Sequence, residues 1–167
     1  ALPTLLVATV VAAVLGIPAL VGTIAPVVVT VGGWILRRTM QTPPLLLHAL
    51  AMVFLPWLLA LLQFGTSPGS AVWPFALTLG LLWSAHAWAE ARINVWQADN
   101  FALWLIGAVQ AGVLLLLVIN KTPLWAPIVA ILFLPTWLRT LRKQPLSGLS
   151  AWWMAAFVAS ALALGWH

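Results

Sequence analysis

The sequence predicts an all-α membrane protein, in which residues 1–167 form a single polytopic bundle of about seven transmembrane helices. Of the 167 residues, 64% are hydrophobic and only 5% are charged, whereas about 25% of the residues in a water-soluble domain are charged. The few charged residues fall in short segments between long apolar runs. Roughly 20 apolar residues in a helix are enough to cross the hydrocarbon core of a bilayer.

After residue 44 the apolar runs are separated by connectors rich in Pro, Gly, Ser or charged residues, which end helices. The predicted spans are Leu45–Phe64, Val72–Ala89, Phe101–Ile119, Pro123–Leu138 and Leu149–Trp166. The first 36 residues carry no charge and are too long for one span. The run GIPALVG, from Gly16 to Gly22, predicts a turn that divides them into Leu2–Leu15 and Val21–Leu36. Six spans with a re-entrant segment are the alternative.

The basic residues predict the orientation of the bundle, because cytoplasmic loops of membrane proteins are enriched in Lys and Arg. Seven alternating spans leave Lys121 alone on one side of the membrane. The basic residues on the other side are Arg37, Arg38, Arg92, Arg139, Arg142 and Lys143. We therefore expect the N-terminus and these connectors in the cytoplasm and His167 outside. The basic excess then reflects membrane orientation, so no nucleic-acid partner is expected.

Two groups of side chains within the predicted spans are candidates for binding a ligand. Trp57, Trp83 and Trp104 lie deep in their spans, where aromatic rings pack the bundle or contact a flat apolar ligand. His48 and His86 are expected at similar depth on antiparallel helices, so the two imidazoles could ligate a haem iron. One imidazole could instead ligate a chlorophyll magnesium. The simpler interpretation of His86 is a hydrogen bond to Glu90, one helical turn later.

The segment SAHAWAEARINVWQADN, residues 84–100, holds both acidic residues of the chain, Glu90 and Asp99. Two carboxylates near bases could hold one Mg²⁺ ion that faces a diphosphate, because Mg²⁺ is commonly bound by carboxylates together with substrate phosphates. The bases that would face the diphosphate are Arg37, Arg38, Arg92, Arg139 and Lys143. The alternative role of these bases is to anchor helix ends at the membrane interface.

The topology and this segment together resemble the C-terminal seven helices of the UbiA-type prenyltransferase superfamily. In that fold the second Asp-rich loop follows the sixth helix on the cytoplasmic side, where HAWAEARINVWQADN falls here. Glu90 and Arg92 are similar to the start of the family motif, but its paired aspartates do not follow. Asn94 and Val95 stand five and four residues before Asp99. The first Asp-rich loop would precede residue 1. The resemblance implies magnesium-dependent transfer from a polyprenyl diphosphate, but two acids cannot supply both Asp-rich motifs.

We therefore expect a non-catalytic membrane subunit, which acts in the lipid bilayer as a scaffold or assembly partner of other integral membrane proteins. Its expected ligand is an isoprenoid, a quinone, a carotenoid or another pigment. Two alternatives remain open. One is an active prenyltransferase with a magnesium cofactor, read from an incomplete chain. The other is a membrane protein that binds haem or (bacterio)chlorophyll through His48 and His86.

Overall fold

The regular elements in the described part of the chain are all helical, as the composition predicted. The computed structural model describes residues 10, 13–14, 16, 20, 22–25, 27–28, 31–33, 35, 45–64, 72–95, 99–142, 144, 146 and 148–165. The chain forms two compact units, Ala1–Ser70 and Ala71–His167. Each unit has its own internal packing, and the single domain expected over 1–167 stays a prediction.

In the first unit, described helical residues lie on both sides of Gly16. Gly16 has a φ of 108°, a value that glycine adopts readily because it has no Cβ. This residue begins the run for which the sequence predicted a turn. Farther along, α1 (Leu45–Ala49) continues through a π-helical segment (Leu50–Phe54) into α2 (Leu55–Phe64). The predicted span Leu45–Phe64 is thus one uninterrupted helical stretch.

The π-helical segment has a local cause in the proline that follows it. Pro56 has no N–H to donate to the carbonyl four residues earlier, and its ring crowds that carbonyl. Just before it, the N–H of Leu55 bonds the carbonyl of Leu50, five residues back. This wider turn is a short π-helical segment within an α-helix, the form in which π-helices usually occur.

The described part of the second unit contains α3 (Val72–Val95), α4 (Asn100–Ile119), α5 (Trp125–Leu141) and α6 (Ser150–Leu164). The connector predicted over residues 90–100 is wrong at its start, because α3 continues to Val95. Residues 90–95 contain neither Gly nor Pro, so nothing in that stretch ends the helix. With 24 residues, α3 is about 36 Å long.

Helices α3 and α4 pack antiparallel. Leu82 of α3 lies against Gly112, where an added Cβ would stand 3.3 Å from the leucine side chain. Nearer the connector, Ala89 of α3 and Ala102 of α4 are both fully buried in one apolar cluster. Small residues at these positions let the two helix backbones approach closely.

Trp137 of α5 packs on α4. The Trp137 indole N–H donates a hydrogen bond of 2.7 Å to Oε1 of Gln110. A Cβ on Gly107, one turn before Gln110, would stand 3.2 Å from the Trp137 ring. Glycine at this position therefore makes room for the ring, and the buried glutamine satisfies its polar end.

The turn after α4 reverses the chain with a lysine at the position that glycine usually occupies. Lys121 has a φ of 59°. Its N–H bonds the carbonyl of Val118 at 3.1 Å, and the N–H of Thr122 bonds that of Leu117 at 3.0 Å. This pair of bonds is a Schellman motif, which satisfies carbonyls left open at a helix end. Lys121 thus lies at the opposite end of the unit from the connector between α3 and α4.

The outer face of α4 is apolar along its whole length. Phe101, Trp104 and Leu115 are 58%, 81% and 60% exposed, and Ala108 and Ala111 are exposed between them. Steps of three and four residues place these side chains on one face of the helix. Soluble monomers rarely expose an apolar patch larger than a few hundred Å², so this stripe favours contact with lipid.

Two described helical stretches, Leu45–Leu62 and Asn100–Ile119, are long and apolar enough to cross a membrane. Only 11% and 39% of their residues are buried, whereas the core helix of a soluble protein is mostly buried. Helices α5 and α6 are shorter apolar helices. Length, composition and exposure together support association with a membrane.

Candidate functional site

His86 of α3 lies inside the second unit with no polar contact. It is 3% exposed, and its Nδ1 and Nε2 atoms are both buried without a hydrogen-bond partner. The hydrogen bond predicted between His86 and Glu90 is therefore wrong. A buried polar group without a partner costs about 1–3 kcal/mol, so the fold carries a penalty at His86 that a ligand could remove.

Aromatic side chains surround this imidazole. The ring centroids of Trp83 and Trp153 lie 5.3 Å and 6.0 Å from that of His86. Phe133 and Phe157 lie 6.1 Å and 5.6 Å from Trp83. We call these five residues, which come from α3, α5 and α6, the aromatic cluster. Spacings of three and four residues along α3 and α6 place each pair on one helix face.

Trp83 is the centre of the aromatic cluster and is fully buried. Its indole N–H donates to Oγ of Ser160 at 3.2 Å, and that hydroxyl donates to the carbonyl of Phe157 at 2.8 Å. The buried indole N–H of Trp83 thus has the partner that such a group requires. Together these contacts fix α6 against α3.

Trp153 and Glu90 meet at the edge of the aromatic cluster. The Glu90 carboxyl, one turn after His86 on α3, lies close enough to the Trp153 indole N–H to interact with it electrostatically. Nε1 of Trp153 is buried and makes no hydrogen bond of good geometry, so its contact with Glu90 is a weak one. Both side chains are partly buried, so this edge is the accessible side of the cluster.

The other aromatic and histidine candidates are described by their own surroundings. Trp104 is on the exposed face of α4, and Trp57 is partly buried in the first unit. His48 is exposed and also belongs to the first unit. Within the second unit, the structure therefore brings together Trp83 and His86, with Trp153 as a member that the sequence did not single out as a candidate.

The Asp99 carboxylate links α3 to α4 through contacts with both helices. Its Oδ2 accepts hydrogen bonds from Arg92, 2.8 Å from Nε and 2.7 Å from Nη2. Its Oδ1 accepts from the N–H of Ala102 at 3.1 Å, which caps the N-terminus of α4. The Arg92 guanidinium also lies over the rings of Trp88 and Phe101, at 5.4 Å and 5.6 Å. An aspartate just before an apolar helical run is an N-cap signal, so this role could have been predicted.

The pKa of the Asp99 carboxyl is lowered, first by the Arg92 hydrogen bond and then by that of the Ala102 N–H. Both hydrogen bonds favour the charged form of the Asp99 carboxyl. The residues present do not fit a magnesium site, because Asp99 is bound to Arg92 and to the helix end while Glu90 faces Trp153. The described residues contain no group of three or more His, Asp or Glu side chains that could hold a metal ion.

The bases predicted to face a diphosphate are only partly described. Arg92 binds Asp99. Arg139 is partly buried in the last turn of α5, so it lies at the same end of the second unit as Arg92. Arg37, Arg38 and Lys143 lie outside the described residues.

Substitutions at Asp99 should separate its two contacts. Asp99→Asn keeps a good capping side chain but loses the ion pair, so we expect a small decrease in melting temperature. Asp99→Ala loses both contacts and should lower it further. Melting of the detergent-solubilised protein, followed by circular dichroism, measures both effects. Equal melting temperatures for all three proteins would contradict both roles.

The same proteins should differ in their response to acid. The lowered pKa of Asp99 means that the folded state binds its proton less readily than the unfolded state. The stabilisation is therefore complete above the ordinary aspartate pKa of about 3.9 and is lost as the pH falls through the lower, folded-state value. The decrease in stability on acidification should be smaller in Asp99→Asn than in the unmodified protein.

Comparisons of the chain with protein-family models, with curated proteins and with solved structures find no match. The resemblance to UbiA-type prenyltransferases therefore stays a prediction from the sequence.

Proposed function

We propose that the chain is a non-catalytic, multi-pass membrane subunit that acts as a scaffold or assembly partner for other integral membrane proteins and holds a lipid-soluble ligand. The surface and the interior of the second unit together carry this proposal. The second unit exposes apolar side chains such as Trp104 and Leu115 and buries an unpartnered imidazole, that of His86. Apolar outer faces suit lipid or partner helices, and intramembrane ionisable groups point to function.

The roles of the two acidic residues support a non-catalytic subunit. A prenyltransferase of the UbiA type neutralises its leaving diphosphate with magnesium held by carboxylates. Asp99 instead caps α4 and binds Arg92, and Glu90 faces Trp153. Losing even one electrostatic contact to developing charge costs about 10²–10³ in rate. Arg92 and Asp99 thus have a structural role that requires no catalysis.

A turnover assay tests this part of the proposal. Purified protein is supplied with magnesium, polyprenyl diphosphates of several lengths, and aromatic or tetrapyrrole acceptors. We expect no prenyl transfer. Transfer that requires magnesium and is abolished by Asp99→Asn would show that an active prenyltransferase is the better description, and the scaffold proposal would be abandoned.

The proposed topology has seven spans, with the N-terminus and the basic connectors in the cytoplasm and the C-terminus outside. The packing of the second unit supports this arrangement. Arg92, Arg139 and Arg142 lie towards one end of the helices, and Lys121 lies at the other. Cytoplasmic ends of membrane proteins are the ones enriched in bases.

Labelling of single cysteines tests the topology, and the chain offers a matched control because it contains no cysteine. Cysteines at Met40, Asn94 and Gln144 should react from the cytoplasmic side of sealed vesicles. Cysteines at Pro68 and Lys121 should react from the outside. Reaction at Pro68 from the same side as Asn94 would contradict the seven-span topology. The unmodified chain gives the background.

A further inference from the structure

We propose that His86 and Trp153 form a binding site for a neutral, lipid-soluble molecule whose flat ring carries carbonyl or hydroxyl groups, the chemistry of a quinone. The site lies between α3 and α6, at the partly exposed edge of the aromatic cluster. This inference rests on the ligand-holding function proposed above and selects one chemical class from it.

Hydrogen-bonding capacity is the first argument. Two buried nitrogen atoms in this place, Nδ1 and Nε2 of His86, have no hydrogen-bond partner, and Nε1 of Trp153 has only its weak contact with Glu90. A neutral imidazole offers one donor and one acceptor, and an indole offers one donor. Ring carbonyls would accept from the two N–H groups, and a ring hydroxyl would donate to the remaining imidazole nitrogen. A pure hydrocarbon, such as an unsubstituted carotenoid, would leave both imidazole nitrogens unpaired.

The shape and charge of the site agree with this class. Trp83 and Trp153 stack on each other at 25° with their centroids 6.2 Å apart, so a bound ring would pack on the outer face of Trp153 and extend this aromatic stack. A flat ring packs well against such a face in an offset arrangement. The nearby carboxyl of Glu90 would repel an anionic group, and Arg92 is held by Asp99. A neutral ring therefore suits the site better than a diphosphate.

The same geometry disfavours a metal tetrapyrrole. The rings of Trp83 and Trp153 lie on the His86 imidazole at 5.3 Å and 6.0 Å and cover the surface that a macrocycle would need. A histidine that ligates a metal almost always donates its other N–H to a neighbouring oxygen. His86 has no such partner.

Access to the site is from the side of α6. His86 is 3% exposed, whereas Trp153 is partly exposed, so rotation of the Trp153 side chain would open the site. The neighbouring surface of α6 is apolar, with Trp152 and Met154 exposed by 46% and 54%. An isoprenoid or alkyl tail attached to the ring could lie along this surface, because burial of apolar area is favourable.

A matched pair of probes and a matched pair of variants test the inference. Binding of decyl-benzoquinone is compared with that of decylbenzene, which has the same tail and a flat six-membered ring without carbonyl groups. Calorimetry is performed on the full chain in nanodiscs. Trp153→Phe keeps an aromatic ring and removes the N–H, and Trp104→Phe makes the same change on the exposed face of α4. His86→Leu and His86→Gln test the imidazole.

We expect the quinone to bind at least tenfold more tightly than decylbenzene. Trp153→Phe should weaken quinone binding about five- to tenfold, the effect of one hydrogen bond, and Trp104→Phe should leave it unchanged. His86→Leu should weaken it by a similar factor, and His86→Gln should restore part of the affinity. If His86→Leu does not fold, Trp153→Phe and His86→Gln carry the test.

Equal binding of the two probes, or quinone binding that is insensitive to Trp153→Phe, would overturn the inference and leave the membrane-scaffold proposal intact. A Soret band that appears on haemin addition and is lost in His86→Leu would overturn it in favour of metal ligation. Failure of the proposed function itself would be seen separately, as prenyl transfer in the turnover assay or as a chain that remains outside the membrane in the labelling experiment.

Discussion

Trp83→Ala is expected to lower the free energy of unfolding of the second unit by about 3–5 kcal/mol, the usual cost of removing a buried tryptophan side chain. Trp83 is fully buried and lies against rings from α5 and α6. Its removal leaves a cavity where three helices meet and deprives the Ser160 hydroxyl of its N–H donor. Folded domains are stable by only about 5–15 kcal/mol, so this variant should be close to unfolding.

The control is Trp104→Ala, the same chemical change at a residue that is 81% exposed. Surface substitutions usually change stability by less than about 0.5 kcal/mol. Trp83→Phe should fall between the two, because it keeps an aromatic ring and loses only the indole N–H and part of the volume. Denaturant unfolding in detergent, followed by circular dichroism, gives all three values. A Trp104→Ala effect as large as that of Trp83→Ala would show that α4 buries its outer face.

The two tryptophans also show what the sequence could and could not predict. The described helices are largely predictable, because apolar runs between breakers fix where each begins and ends to within a few residues, except at the end of α3, which continues past the predicted Ala89 to Val95. Which side of a helix faces inward could not be predicted. For example, α4 is apolar on nearly all sides and gives no amphipathic signal. Trp83 and Trp104 therefore looked equivalent in the sequence, although one is fully buried and the other is 81% exposed.

The polar residues also differ in how far the sequence could predict their roles. The N-cap role of Asp99 depends on residues next to it in the chain, and the sequence contains its signal. The environment of His86 depends on Trp153, which is 67 positions away and meets it only through the packing of α6 on α3. A hydrogen bond to Glu90 was the natural expectation from spacing alone. Tertiary packing turned both side chains to α6 instead.

The effect of Ala111→Arg should show whether α4 lies in a membrane or at the surface of a soluble helical protein. Ala111 is exposed near the middle of α4. At the surface of a soluble protein, this change would alter stability by less than about 0.5 kcal/mol. In the middle of a transmembrane helix, an arginine costs about 2.5–3.5 kcal/mol on the insertion scale, roughly a hundredfold change in the insertion equilibrium.

The control is Asn100→Arg, at an exposed residue where α4 begins. There the guanidinium can reach the headgroup region, where long basic side chains are tolerated, so insertion should hardly change. A second control, Ala111→Leu, adds volume at the same place without charge and should insert as well as the unmodified chain. The measurement is the fraction of newly made chain that resists extraction from membranes by alkaline carbonate. A large loss confined to Ala111→Arg is the result expected when this face of α4 contacts hydrocarbon. Unchanged extraction in all three variants would mean that the apolar stripe on α4 is covered by protein or water, and the membrane topology proposed for the second unit would have to be given up.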